Sequence, residues 1–129
     1  MICLKRRGGR SSKIGEYTVA SRIGSGRYGV CFLAHGPTGK TVVLKRFRPR
    51  MLRKNRQQNH YEAVILSGLS HPAVPELLGV INCRQGYYYV LEYKEGASLE
   101  EWLFKRRKVF SPEEIYRIGS QLFDILKYL

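Results

Sequence analysis

At 129 residues the chain is one ordinary domain or a piece of one, and its apolar content with nine tyrosines excludes an intrinsically disordered polypeptide. A formal charge of +13, with no acidic residue between Glu16 and Glu62, favours polyanionic partners, whether nucleotide, nucleic acid, acidic protein or anionic lipid. Cys3, Cys31 and Cys83 are widely spaced, no CxxC occurs and no His/Cys cluster has metal spacing, which excludes a disulfide scaffold and a structural zinc site.

The first ten residues hold only Ile2 to Leu4 as an apolar run, too little for a signal peptide, and nothing approaches a spanning helix. A soluble, cytoplasmic protein with reduced thiols is expected. Residues 1–14 read as a basic, flexible tail. From Tyr17 the pattern is β-like: Tyr17-Thr-Val-Ala runs into glycines, and Val30-Cys-Phe-Leu-Ala34 leads out of them. Gly36-Pro-Thr-Gly39 is turn chemistry, and Thr41 to Phe47 is a further strand. Each turn is too short for a crossover helix, so two successive hairpins are expected.

From about Asn55 to Leu69, Tyr61, Val64, Ile65, Leu66 and Leu69 recur at helical spacing, and prolines at 72 and 75 forbid continuing that helix. Leu77 to Asn82 and Tyr87 to Tyr93 are strands. Ser98-Leu-Glu-Glu101 and Ser111-Pro-Glu-Glu114 are S-x-x-E capping boxes, the second with proline at the first helical position. Ile115, Ile118, Leu122, Ile125, Leu126 and Leu129 then form an apolar stripe on the last helix.

Two glycine-rich stretches compete as phosphate loops. Ala34-His-Gly-Pro-Thr-Gly39-Lys40-Thr41 ends like a P-loop, but a P-loop must enter a helix, and Val42-Val-Leu44 is strand sequence. Pro37 also removes an amide from the cradle, so a β-turn between strands accounts for this stretch. Gly24-Ser-Gly26-Arg-Tyr-Gly29 reads G-x-G-x-x-G, yet strand sequence follows it and the ribose-binding acid of a dinucleotide fold is missing. The remaining reading is a glycine hairpin folded over phosphates as a flap. Such a flap needs a cation from the next strand, which Lys45 supplies, and a carboxylate to aim that cation, for which Glu62 is placed on the following helix.

These residues resemble the N-terminal lobe of a eukaryotic-type protein kinase. Gly24-x-Gly26-x-Tyr28-Gly29 looks like its Gly-rich loop, and Val42-Val43-Leu44-Lys45 resembles its V-A-I-K strand. The stretch from Tyr61 to Val80 is similar to the αC helix and its connection to strand four. Tyr87 to Leu103 looks like strand five, the hinge and the next helix. The resemblance covers residues 15 to 129. It implies an α+β fold with a five-stranded antiparallel sheet and an αC helix, followed by two helices from the start of the C-terminal lobe. Residues 15–95 would be the ATP-binding lobe and residues 96–129 the hinge exit and truncated second lobe.

The resemblance also implies roles. Gly24, Gly26 and Gly29 would let the backbone approach the phosphates. Lys45 would hold the α- and β-phosphates and pair with Glu62. Ile23, Cys31, Val43 and Leu91 would line the adenine slot, Leu91 in the gatekeeper position. Glu92 and Lys94 would offer a backbone C=O and N–H to the adenine edge, so that their side chains matter little. Ser98 stands where a ribose contact is often found, although helix capping accounts for it equally well. Leu66 and Leu77 would join an apolar column, and His71 resembles a structural position.

The cofactor implied is ATP with Mg²⁺, and the partner a protein substrate carrying Ser or Thr. The sequence stops at Leu129 without the His-Arg-Asp and Asp-Phe-Gly segments that orient the acceptor and bind magnesium, so ligands for the metal would lie beyond it. The expectation is therefore a fragment of a kinase, inactive alone, whose last helix exposes its stripe and self-associates. The alternatives are a stand-alone pseudokinase-like module or a basic nucleic-acid-binding module, the latter recognised by steep salt dependence.

Overall fold

The computed structural model describes residues 12–27, 29–49 and 63–129. Six strands form one antiparallel sheet in the order β1-β2-β3-β4-β6-β5. They are β1 (Lys13–Ile14), β2 (Tyr17–Ser25), β3 (Gly29–His35), β4 (Thr41–Phe47), β5 (Leu77–Cys83) and β6 (Gly86–Glu92). Five of them are the expected strands. The sixth, β1, pairs Lys13 with Thr18 and Ile14 with Tyr17 through a turn in which Gly15 has φ +58°. Ile14 is buried in the core. The basic tail expected to reach residue 14 thus gives its last two residues to the sheet. One apolar residue between basic and glycine neighbours carries no period from which this pairing could be read.

β3, β4 and β6 are central and alternate strictly. Val30, Phe32 and Ala34, Val42 and Leu44, and Tyr88 and Val90 point to one face, where Ile14 and Val19 join them in a closed core. Phe32, Leu44, Val42, Val90 and Tyr88 are almost wholly removed from water. Each such aliphatic or phenyl side chain contributes roughly 1.5–3 kcal/mol of transfer free energy. Tyr87 and Tyr89 go to the opposite face, as the alternation of three successive tyrosines requires.

The stretch that imitates a P-loop is a hairpin turn between β3 and β4. Gly36 N–H donates to the Lys40 carbonyl at 2.8 Å and Gly39 N–H to the Gly36 carbonyl at 3.0 Å, with Gly39 at φ +83°. Backbone amides spent on the turn in this way cannot cradle a phosphate.

Helix α1 is described over residues 63–67, and the rest of the expected helix lies outside the described residues. It closes with three-residue-spaced bonds from Gly68 N–H to Ile65 O and Leu69 N–H to Leu66 O.

The chain divides into two compact units, Met1–Ser70 with Pro75–Tyr93, and His71–Val74 with Lys94–Leu129. In the second unit the first expected helix is a π-helical turn, Glu101–Lys105, with Arg106 N–H bonded to Glu101 O. Its Trp102 ring is covered by the Arg106 guanidinium at 4.3 Å and the Lys108 ammonium at 5.5 Å. Helix α2 (Pro112–Tyr128) begins with the full capping box, Ser111 Oγ accepting from Glu114 N–H and Glu114 Oε1 accepting from Ser111 N–H.

Candidate functional site

Strand register assembles the site. Gly24 lies opposite Cys31, Cys31 opposite Lys45, and Lys45 opposite Tyr89, one row across β2, β3, β4 and β6. Two residues along, Leu33, Val43 and Leu91 form the neighbouring row. With a period of two, Cys31, Val43, Lys45 and Leu91 share the face opposite the closed core. The sheet therefore separates one apolar interior from one face that carries a cation among apolar neighbours. Ile23 falls in the irregularity between Arg22 and Gly24 and is half exposed.

The three glycines are not equivalent. A Cβ on Gly29 would overlap the Arg46 carbonyl oxygen of the adjacent strand, so backbone packing admits no side chain there. Around Gly24 and Gly26 nothing stands within 4 Å of a would-be Cβ. Open space of that kind lets a ligand approach the main chain closely. The hairpin tip is closed by Gly26 N–H donating to Gly29 O at 2.9 Å, and Arg48 Nε donates to the Gly26 carbonyl at 3.1 Å.

Lys45 is partly buried, with its ammonium 5.4 Å from the centre of the Phe47 ring. Phe47 packs edge-on to Tyr89 at 4.6 Å and lies 5.9 Å from Tyr87, so the Lys45 face continues as an aromatic cluster. Burial pushes the Cys31 thiol up from its ordinary value, and the Lys45 ammonium partly opposes that shift. Cys31 is accordingly a neutral, apolar wall element at pH 7. Glu62, the expected partner of Lys45, lies outside the described residues, as does Tyr28 of the glycine loop.

Two expected backbone contributors have side chains with work of their own. Glu92 Oε2 accepts from Glu76 N–H at 3.1 Å, while Glu92 N–H donates to the Glu76 carbonyl at 2.8 Å. A reciprocal pair thus fixes the end of β6 against the start of β5. Lys94, in the second unit, donates from Nζ to the Pro72 carbonyl at 2.8 Å. The expectation that these side chains matter little overlooked both anchors, because neither partner is near in sequence. Ser98 Oγ accepts from Glu101 N–H at 3.1 Å and so caps the π-helical turn. His71 Nδ1 accepts from Ala73 N–H at 3.0 Å, with its ring 5.0 Å from that of Tyr128.

Sequence reading also missed Arg48, whose bond to Gly26 spans 22 positions. It missed the Phe47–Tyr87–Tyr89 cluster as well. The one available signal was the alternation that places all three aromatics on the face of Lys45.

Comparison with known proteins agrees with this architecture. The family model "protein kinase domain" matches residues 17–129. The probable serine/threonine-protein kinase YbdM of Bacillus subtilis is 30% identical over 117 residues, 88% of this chain and 46% of that protein. The carbon catabolite-derepressing protein kinase of Candida glabrata is 32% identical over 120 residues, covering 91% of this chain and 19% of the relative. Its Saccharomyces cerevisiae counterpart is 32% identical over 118 residues, 89% and 18% respectively. The chain thus spans less than half the length of each of these relatives. A glycine hairpin, a lysine in register with its exit strand and a family match from the first long strand to the last helix lead to one conclusion: this chain belongs to the protein kinase domain family.

Proposed function

We propose that the chain is the ATP-holding part of a serine/threonine-type protein kinase. The observation that carries this reading is the row Gly24–Cys31–Lys45 under an open glycine hairpin. The donor set suits a nucleotide. Accessible loop backbone and the Lys45 ammonium answer phosphate charge, while Ile23, Cys31, Val43 and Leu91 offer apolar surface to a base. On this reading Lys45 binds the α- and β-phosphates, aimed by Glu62. The Glu92 carbonyl meets the adenine edge, held in place by its side chain's anchor to Glu76.

Magnesium is the metal this chemistry implies, and the described residues offer it no donor set. Among the described residues no three His, Cys, Asp or Glu side chains converge, and Asp124 is the chain's single aspartate. No step is therefore assigned through a metal. Transfer to a protein Ser or Thr needs a residue that orients the acceptor hydroxyl, and neither His-Arg-Asp nor Asp-Phe-Gly occurs in these 129 residues. The chain alone holds ATP without transferring its phosphate; transfer, protein substrate and a cytoplasmic site of action belong to the proposal for a longer kinase. For location the structure offers only that none of its described helices is long and apolar enough to cross a membrane.

Calorimetry of the 129-residue chain with ATP, GTP and a short oligonucleotide tests the reading. Weak, adenine-selective binding that Lys45→Met abolishes, with the circular dichroism unchanged, is the expected result. Unaltered ATP affinity in a folded Lys45→Met protein would remove Lys45 from the site. Salt-sensitive oligonucleotide binding without ATP binding would replace the reading with that of a basic module.

A further inference from the structure

We propose that Arg48 is a positioning residue for the phosphates, acting through the glycine hairpin rather than by touching the ligand. This inference rests on the nucleotide reading above and deepens it. Arg48 follows the last residue of β4, and its Nε donates to the carbonyl of Gly26, at the hairpin tip, over 3.1 Å. The base of the same hairpin is fixed independently, because Gly29 pairs with Phe47 and lies so close to the Arg46 carbonyl that no side chain fits. Between these two fixtures Gly26 N–H closes on Gly29 O.

The direction of the Arg48 bond matters. In a trans peptide the C=O and the following N–H point to opposite sides of the chain. With the Gly26 carbonyl captured by the guanidinium, the N–H of Arg27 is turned away from Arg48. Arg46, two residues earlier, is in register with Val30 and Tyr88 on the core face, opposite Lys45. Arg48 thus restrains the tip by its carbonyl and leaves the Arg27 amide turned away from the guanidinium. A charged donor also polarises the peptide it binds, strengthening that amide toward an anion. The consequence is an amide held ready for a nucleoside di- or triphosphate, beside two glycines whose would-be Cβ positions face open space.

The test compares wild type, Arg48→Ala and Arg48→Lys by calorimetry with ATP, ADP and adenosine, and by amide hydrogen exchange of the ligand-free proteins. Arg48→Ala is expected to weaken ATP and ADP by roughly three- to tenfold, the range of one typical hydrogen bond at an exposed position. Adenosine affinity stays within about twofold, since it places no phosphate under the hairpin. Arg48→Lys keeps the charge but lacks the Nε–H, and it does not restore ATP affinity. In the absence of ligand the Gly26 amide exchanges faster in both variants, while amides of β3 and β4 keep their wild-type protection.

Equal losses for ATP and adenosine would make Arg48 merely structural and overturn the inference. Full recovery in Arg48→Lys would reduce its role to bulk charge and overturn the inference too, as would unchanged exchange at Gly26. Failure of wild type to bind any nucleotide would instead overturn the nucleotide reading, and the exchange measurement would still judge the hairpin restraint.

Discussion

Gly29 and its two sister glycines show how one motif can combine two separate demands. The backbone of β4 leaves no room at Gly29, whereas Gly24 and Gly26 face open space. Gly29→Ala should therefore destabilise the ligand-free fold by about 1–3 kcal/mol, the usual cost of forcing an extra carbon into filled space. Gly24→Ala and Gly26→Ala should stay within about 0.5 kcal/mol of wild type, as surface changes do, while both weaken nucleotide binding. Urea unfolding of the three variants checks this. A Gly29→Ala midpoint equal to that of wild type would mean that the close approach to Arg46 is not maintained in solution. Lys45 is a different case: it is partly buried beside Phe47, on the face away from the closed core, so its loss should be felt in binding before folding.

At the scale of elements, α2 carries the clearest pH dependence. Glu114 accepts from Ser111 N–H and pairs with Lys108 at 2.9 Å. The Lys108 hydrogen bond first, and the Ser111 backbone hydrogen bond after it, hold the carboxyl below its ordinary value. A depressed carboxylate contributes stability that is complete above its unfolded pKa and lost as pH falls through the folded one. The helical signal of α2 should therefore decline on acidification below the ordinary carboxylate range, and Glu114→Gln should flatten that decline. Ser111→Ala removes the other half of the capping box and should cost about 0.5–2 kcal/mol at neutral pH. Circular dichroism between pH 2 and 7 is the measurement (about the span over which a carboxylate titrates), and identical pH profiles for wild type and Glu114→Gln would sink the argument.

The same elements show what local sequence can and cannot specify. The alternation in β3, β4 and β6, the turn at Gly36–Gly39 and the second capping box were legible, because each is written within a few consecutive residues. Strand β1 was not, since two residues cannot display a period. The strand order, with β6 between β4 and β5, likewise depends on pairings between distant residues. The site divides along the same line. Gly24, Gly26, Gly29 and Lys45 could be named from motif and spacing, and Cys31, Val43 and Leu91 from the family resemblance, whereas the Arg48–Gly26 and Glu92–Glu76 bonds join residues 22 and 16 positions apart. No periodicity encodes those.

For the whole molecule two forces oppose one another. Ile115, Leu122, Leu126 and Leu129 are each more than half exposed on α2 and recur at helical spacing, an apolar stripe that favours association. The net charge of +13 repels a second copy. Which force prevails depends on ionic strength, because the screening length shrinks from about 30 Å at 0.01 M salt to about 8 Å at 0.15 M, while apolar burial is hardly affected by such salt. The chain should therefore sediment as a monomer at low ionic strength and associate as salt is raised. Leu122→Glu with Leu126→Glu should keep it monomeric throughout, since both substitutions place charge in the stripe. Sedimentation velocity across a salt series decides the matter. Association that instead weakens with salt, and survives the double substitution, would assign the contact to charged surfaces and leave the α2 stripe without a role in it.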